Sequence, residues 1–332
     1  MKLLIVAPEQ YPVPHRKGTS VENCIYNIAR RLARRHAVMI ASRKRGRLPA
    51  RSVRGKLTII RVPGDKSSYI RNAIRAVKGK SFDLIQVDNR PKFLPHVRRQ
   101  FPRTPVALFL HSLTFVTPPK VSHARARSLL RNADLIIANS RSLKNRLKTK
   151  FPQHAGKVRV VHLGVNLSQF RPPTAAERRR MRAKHRATNK FAIVYAGRFV
   201  PRKGIPTLIR AAALVRRRIP GAVLYLAGGG NKAYVSRLKR LAAKAGVPVR
   251  FMGYLPRTAV QRAYWLADCV VCPSQRHESF GLVAAEALAC GTPTIASKNG
   301  GMRSCANIRS ARAKPSSSVT ALRSAAASAM HL

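Results

Sequence analysis

Acidic side chains are what this sequence has least of. Ten Asp and Glu stand against 66 Lys and Arg in 332 residues, a formal net charge of +56. So much like charge repels itself in a compact state. It also attracts polyanions, whether nucleic acid, anionic lipid at a membrane surface or an anionic cell-wall polymer. The bases form no single tail. They recur in clusters such as Arg30-Arg31, Arg178-Arg179-Arg180 and Arg216-Arg217-Arg218, many on the polar faces of helix-like segments, where a solvated face is the ordinary reading. No zinc-finger spacing and no basic helix leading into heptads occurs, so no specific nucleic-acid motif accompanies the charge. No apolar run reaches about 18 residues, which excludes a transmembrane helix. The opening Met1-Lys2-Leu3-Leu4-Ile5-Val6-Ala7-Pro8 is too short for a signal peptide and reads as a first strand. Five cysteines, odd in number and without framework spacing, exclude a disulfide scaffold and suit a reducing cytoplasm. Cys269 and Cys272 stand at motif spacing, but inside an apolar strand pattern with no second pair, so no metal is expected there.

What is present is a repeated alternation. Short apolar runs at 3–7, 37–41, 57–62, 84–87, 106–110, 135–138 and 158–163 read as strands, separated by helical patterns near 19–32, 67–77, 121–131 and 140–150. The stretch 166–189, with Pro172-Pro173 and a very basic helical run at 175–184, reads as an interdomain connection. The alternation then resumes: strands at 191–196, 222–227, 249–252, 269–272 and 293–296, helices at 206–218, 233–245, 259–267 and 280–290. Buried-type strands alternating with amphipathic helices predict an α/β fold of two doubly wound parallel-sheet domains, 1–165 and 190–301. The last segment, 302–332, is Ser, Ala and Arg with no acid, a composition that predicts disorder.

In a chain so poor in acid, two carboxylates eight positions apart stand out: Glu278 and Glu286, in His277-Glu278-Ser279-Phe280-Gly281-Leu282-Val283-Ala284-Ala285-Glu286. The segment follows the strand at 269–272 and opens a helix. It therefore lies where doubly wound sheets bind ligands and where new helical N–H groups favour anions. The plainer alternative is that Glu278 caps a helix and Glu286 is a solvated helix residue. The other strand ends of the same domain carry Arg198 and Lys203 in one loop, Gly228-Gly229-Gly230 in the next, and Gly253 after the third strand. Arginine offers a forked donor to phosphate oxygens, lysine a compact charge, glycine close backbone approach, and carboxylates accept from sugar hydroxyls. Together these donors and acceptors suggest a nucleotide-sugar.

These residues carry a family resemblance. Glu278 and Glu286 match the E-x7-E motif of family-4 retaining glycosyltransferases, and Gly197-Arg198 through Lys203-Gly204 resembles that family's G-R-x(3–4)-K-G loop. Leu226-Ala227-Gly228-Gly229-Gly230, Phe251-Met252-Gly253, Ile137-Ala138-Asn139-Ser140 and Val161-His162-Leu163-Gly164-Val165-Asn166 with Phe170 are similar to its other signatures. Val87-Asp88-Asn89-Arg90-Pro91 resembles its bacterial spore-coat subgroup. The resemblance implies the GT-B fold, two Rossmann-like domains facing a cleft, acceptor side first and donor side second. It implies transfer of a sugar from a nucleotide-diphosphate donor to a glycan or other hydroxyl acceptor with retained anomeric configuration. Neither a cofactor nor a metal is implied.

By the same resemblance Arg198 and Lys203 hold the donor diphosphate, Glu278 contacts the donor sugar and Glu286 binds ribose hydroxyls. Backbone N–H groups around Phe280, Gly281 and Leu282 add phosphate contacts, and Gly253 lies near the base. Gly18 belongs to a loop approaching phosphate and acceptor, and His111 lies near the transferred sugar. Residue by residue alone, His111 reads as a satisfied loop histidine. Two departures stand out. Lys17 precedes Gly18 where the family pairs glycines. After Gly300-Gly301 the family's Pro-Glu pair, final strand and returning helices are replaced by Met302-Arg303-Ser304 and the Ser/Ala/Arg tail. An incomplete second domain is expected from this. The competing function is a catalytically impaired, basic coat or scaffold protein that keeps the fold and binds anionic polymers. The expected location is the cytoplasm, free or peripheral at the membrane or spore coat.

Overall fold

The first strand shows how one apolar run serves two cores. Successive side chains of a strand point to opposite faces. In the computed structural model, Leu4 and Val6 join one cluster while Leu3 and Ile5 join another on the reverse face. The structure describes residues 1–14, 20–275 and 278–302. The chain divides into two units between Leu163 and Gly164. The expected tail at 303–332 lies outside the described residues.

The first unit runs β1 (Lys2–Val6), α1 (Ser20–Leu32), β2 (Ala37–Arg43), β3 (Arg51–Arg54), β4 (Leu57–Val62), α2 (Tyr69–Ala76) and β5 (Leu84–Asp88). It continues through α3 (Leu94–Gln100), β6 (Val106–Leu110), α4 (His123–Leu130), β7 (Leu135–Ala138), α5 (Arg141–Lys150) and β8 (Val158–Val160). Among the described residues these strands form an eight-stranded sheet in the order β3-β4-β2-β1-β5-β6-β7-β8. The strands pair in parallel, among the described residues, except β3 with β4. Helices α2 to α5 cover one face through Ile70, Leu94, Leu130 and Leu143, and α1 covers the other through Ile25 and Ala29. Ser122 and Ser140 cap α4 and α5, each accepting a backbone N–H from three residues on. Neither β3 nor α3 is expected from sequence. β3 reads Arg-Ser-Val-Arg without apolar alternation and becomes a strand by pairing with β4 at the sheet edge.

The second unit runs α6 (Ala175–Lys184), β9 (Phe191–Ala196), α7 (Ile205–Arg218), β10 (Ala222–Ala227), α8 (Lys232–Lys244) and β11 (Val249–Gly253). Then follow α9 (Val260–Leu266), β12 (Cys269–Cys272), α10 (Leu282–Ala289) and β13 (Thr294–Ala296). Its strands form a parallel sheet in the order β11-β10-β9-β12-β13. Strand residues Ile193, Tyr195, Leu224, Leu226 and Val271 pack with Ile205, Leu208 and Ile209 of α7 and Leu238 of α8. The basic run expected to connect domains forms α6, begun by a Thr174–Glu177 capping box, and docks within this unit. Arg178 and Arg182 donate to the carbonyls of Trp265 and Leu266 at the end of α9 and meet Asp268 at 2.9 and 3.0 Å. Here clustered arginines are partly consumed by helix docking rather than left as a solvated face.

Candidate functional site

At the carboxyl ends of the second unit's strands, glycines fix which loops touch. Gly204, φ +70°, closes the β9–α7 loop, and an added Cβ there would overlap the Pro273 carbonyl oxygen after β12. The same seam is held by Gln275 N–H donating to the Arg202 carbonyl at 3.0 Å. Gly228, φ +140°, follows β10, and a Cβ there would overlap the Gly197 carbonyl oxygen. The expected role of Gly228 and its neighbours was approach to a diphosphate. The structure gives Gly204 and Gly228 a first reason of their own, the close approach of neighbouring loops. Gly228 N–H also donates to the carbonyl of Gly253 at 2.7 Å. Gly253 ends β11 with φ +68° and is exposed.

The seam brings Lys203 onto Glu278. Lys203 Nζ donates to Glu278 Oε2, and Ser274 Oγ donates to the same oxygen at 3.0 Å. The two charged side chains are 21% and 23% exposed, so the pair is reachable from solvent. From behind, Gly301 N–H holds the Glu278 carbonyl at 2.7 Å. Arg198, in the same loop as Lys203, has an exposed side chain, while its carbonyl accepts from the buried Tyr195 hydroxyl at 2.8 Å.

Gly281, φ +96°, is the residue from which α10 starts, with buried Phe280 before it and half-buried Leu282 as the first helical residue. Glu286 is one turn further in and only 2% exposed, which overturns the reading of a solvated helix residue. Tyr264 of α9 donates its hydroxyl to Glu286 Oε2 at 3.0 Å. Arg257 Nη1 lies 2.6 Å from Oε1 as an ion pair. Oε1 and Arg257 Nε are both buried without a hydrogen-bond partner. Burial raises the Glu286 pKa; the Arg257 charge and the two side-chain partners pull it down, and burial prevails.

The first unit has its own polar cluster at the ends of β1, β5, β6 and β7. His111 follows β6, stacks on Phe109 with ring centroids 4.6 Å apart, and places Nε2 3.0 Å from Asp88 Oδ1. Asp88, 1% exposed, also accepts from Gln86 at 2.7 Å. Arg90 donates from Nε to Glu9 Oε2 at 2.5 Å and from Nη1 to the Asn89 carbonyl at 2.9 Å, with its guanidinium 3.9 Å from the Phe115 ring centroid. Lys92 lies 3.1 Å from the other Glu9 oxygen. Burial alone would raise the Glu9 pKa; the Arg90 and Lys92 charges with backbone hydrogen bonding outweigh it, and the net shift is downward. Gly18 lies outside the described residues. Among the described residues no cluster of three or more His, Cys, Asp and Glu could hold a metal ion, and no helix is long and apolar enough to cross a membrane.

Thus Lys203 and Glu278 come together on one seam of the second unit, with Arg198 in the same β9 loop as Lys203, while Phe280, Gly281, Leu282 and Glu286 follow Glu278 at the start of α10 and within it. Gly253 ends the next strand but one, and His111 belongs to the other unit. Sequence reasoning missed Ser274, Tyr264 and Arg257 in the second unit and Glu9, Asp88 and Arg90 in the first. Scarcity of acid, applied here only to Glu278 and Glu286, would have marked Glu9 and Asp88 as well; nothing marks one arginine among 66 Lys and Arg.

Comparison with known proteins agrees with this geometry. Residues 177–330 match the family described as Glycosyl transferases group 1, and residues 21–169 match Glycosyltransferase Family 4. The first match runs past Gly301, where the motif resemblance stops. "Putative glycosyltransferase YtcC" of Bacillus subtilis (strain 168) is 30% identical over 312 residues, covering 91% of this chain and 76% of its own. "Spore coat protein SA" of the same strain is 27% identical over 311 residues, covering 91% of this chain and 82% of its own. Among solved structures, sucrose-phosphate synthase from Thermosynechococcus elongatus superposes with a TM-score of 0.76 at 23% identity, covering 100% of this chain and 95% of that one. Anabaena Alr3699/HepE, in complex with UDP and glucose, gives 0.72 at 22% identity with the same coverage. With both halves matched and a relative at 30% identity spanning most of both chains, the chain belongs to the family-4 glycosyltransferases of the GT-B fold.

Proposed function

We propose that the chain is a retaining glycosyltransferase that moves a sugar from a UDP- or GDP-linked donor to a hydroxyl of a glycan or similar acceptor. The observation that carries this reading is the seam between the β9 and β12 loops, where Lys203 meets Glu278 and α10, which follows, holds Glu286 buried. Phosphate needs preorganised cations, which Arg198 and Lys203 supply beside the helix start at Phe280, Gly281 and Leu282. The sugar and ribose need acceptors, which Glu278 and Glu286 supply. Gly253, at the end of β11, is assigned to the base. His111, oriented by Asp88, takes the sugar-side role of the family histidine, and Gly18 the phosphate-side loop. In the transfer, the bond from the anomeric carbon to the diphosphate oxygen breaks as the bond to the acceptor oxygen forms on the same face. The acceptor proton passes to the leaving phosphate. Arg198 and Lys203 stabilise the charge that develops there.

The relatives support the donor class. Several are GDP-mannose-dependent mannosyltransferases, one of them 33% identical over 191 residues in Mycolicibacterium smegmatis. The HepE structure holds UDP-glucose in one crystal form. Calorimetry with UDP- and GDP-sugars in moderate salt tests the reading. Saturable binding that Lys203→Ala weakens supports it. Binding that is purely salt-sensitive and extends to any polyanion would replace it with the basic scaffold reading.

A further inference from the structure

The Arg257–Glu286 contact contains two unmet valences in one place. Glu286 Oε1 is a buried acceptor without a hydrogen bond, and Arg257 Nε is a buried donor without one. Yet Nη1 of the same guanidinium is only 2.6 Å from Oε1. Buried polar groups in native proteins are almost always paired, and an unmade hydrogen bond there is costly. The pair is not loosely placed. Tyr264 anchors the other carboxylate oxygen at 3.0 Å. Arg257 lies 5.1 Å from the Phe170 ring centroid, and its carbonyl accepts from Gln169. An unpaired donor beside an unpaired acceptor is complementary to one chemical group above others, a hydroxyl, which donates one hydrogen bond and accepts another. The guanidinium is the movable half, since Arg257 is 29% exposed against 3% for Glu286.

We infer that Arg257 is a nucleotide-recognition residue that shares one ribose hydroxyl with Glu286, the hydroxyl donating to Oε1 while accepting from the Arg257 guanidinium. This rests on the assignment of Glu286 to the ribose and extends it to a residue outside the E-x7-E motif. On binding, the guanidinium shifts from its hydrogen-bond-free contact with Oε1 and the sugar oxygen enters between them. The chain then distinguishes ribonucleoside from deoxyribonucleoside diphosphates through a donor and an acceptor together, where a carboxylate alone supplies only the acceptor.

Titration calorimetry with UDP and GDP and with their 2′-deoxy and 3′-deoxy forms reads this out on the full chain. The unaltered chain binds at least one deoxy form more weakly by about tenfold or more, the loss expected for a hydrogen bond to charged groups. Arg257→Lys is the decisive variant. It keeps a cation beside Glu286, so a role limited to neutralising the carboxylate survives, but it cannot offer a guanidinium donor at the same place. The expected result is a ribo-to-deoxy ratio that falls by about fivefold or more, since the hydroxyl loses one of its two charged partners while its bond to Glu286 remains, with deoxy binding unchanged. Lys203→Ala, by contrast, weakens both forms alike. A ratio that Arg257→Lys preserves, or equal binding of all three sugars by the unaltered chain, overturns the inference while leaving the donor reading intact. Absence of saturable binding of any nucleoside diphosphate overturns both.

Discussion

Glu9 and Glu286 are both buried carboxylates beside an arginine, and their pKa values move in opposite directions. The difference lies in what each arginine completes. At the carboxyl edge of the first sheet, Arg90 gives Glu9 a direct Nε donor, Lys92 takes the other oxygen, and Phe115 covers the guanidinium. That edge satisfies its charges internally. At the carboxyl edge of the second sheet, Arg257 approaches Glu286 without bonding to it, and the Lys203–Glu278 pair is open to solvent. A network that is closed on itself holds loops in place; one with valences left over is built to receive something. The first edge is not wholly closed, since Asn139 Oδ1 is buried without a partner, beside the His111 backbone that Asn139 Nδ2 holds at 3.3 Å.

The sharpest way to break this comparison is to cut each network. Arg90→Ala strands the Glu9 carboxylate with only half-exposed Lys92 beside it. Removing one partner of a buried ion pair costs about 3–5 kcal/mol, so the variant should unfold at clearly lower denaturant. The sole tryptophan, Trp265, belongs to the second unit. Its fluorescence should therefore keep its transition while the far-ultraviolet ellipticity loses the first unit's share early. If both signals shift together, Arg90 is not a local brace.

Lys203→Ala cuts the second network, and the same comparison predicts the reverse pattern. A partly exposed ion pair contributes about 0–1 kcal/mol to stability, so both unfolding signals should move little. Donor affinity should fall on the order of ten- to a hundredfold, because the charge faces a phosphate in a preorganised site. A large loss of stability with donor binding unchanged would make the seam a brace like the first. Gly204→Ala sits between these cases. The added methyl meets backbone rather than a movable side chain, and φ is +70°, so strain of about 1–2 kcal/mol is expected before any adjustment of the seam. Trp265 fluorescence should record it, and affinity should fall with it. An unshifted Trp265 transition would mean that the two loops part freely.

Much of this was legible in the sequence. Strands such as Val106–Leu110 and Cys269–Cys272 are unbroken apolar runs, and caps at Ser140 and Thr174 announce their helices. β3 was illegible because its strand character is conferred by β4, not by its own residues. The E-x7-E spacing was legible because both carboxylates stand on one segment. Arg257 was not, because its partner is reached only once α9 is laid against α10.

The ten acids held a further signal. Asp83, Asp134 and Asp268 each immediately precede a strand, and each accepts a backbone N–H from the first or second residue of a neighbouring strand, from Lys2, Val106 and Ala192 at 2.7, 2.7 and 2.8 Å. Glu9, Asp88 and Glu278 instead stand at the far ends of strands. Sorted by which end of a strand they mark, these six of the ten acids separate into those that stitch sheets and those at the carboxyl edges of the sheets.

The smallest effect, and the finest test of the comparison, is the pH dependence of the two buried carboxylates. Glu286 has a folded pKa raised above its ordinary 4.5. Between 4.5 and the raised value the folded chain holds a proton that the unfolded chain has released. Stability therefore falls as pH rises through that window and stays lower above it. Glu9 has a folded pKa below 4.5. There the unfolded chain binds the proton first, so the contribution of Glu9 is fully present above 4.5 and is lost as pH falls. Measured against Glu286→Gln, the unaltered chain should lose ground as pH rises from about 4 to 8, through the window that opens at the ordinary glutamate value, with Trp265 fluorescence as the readout. Measured against Glu9→Gln by ellipticity, it should gain ground as pH rises toward the ordinary glutamate value, about 4.5, and stay level above it. Slopes of the same sign in both pairs would mean that the two arginines do equivalent work, and the contrast between a closed and an open edge would fail.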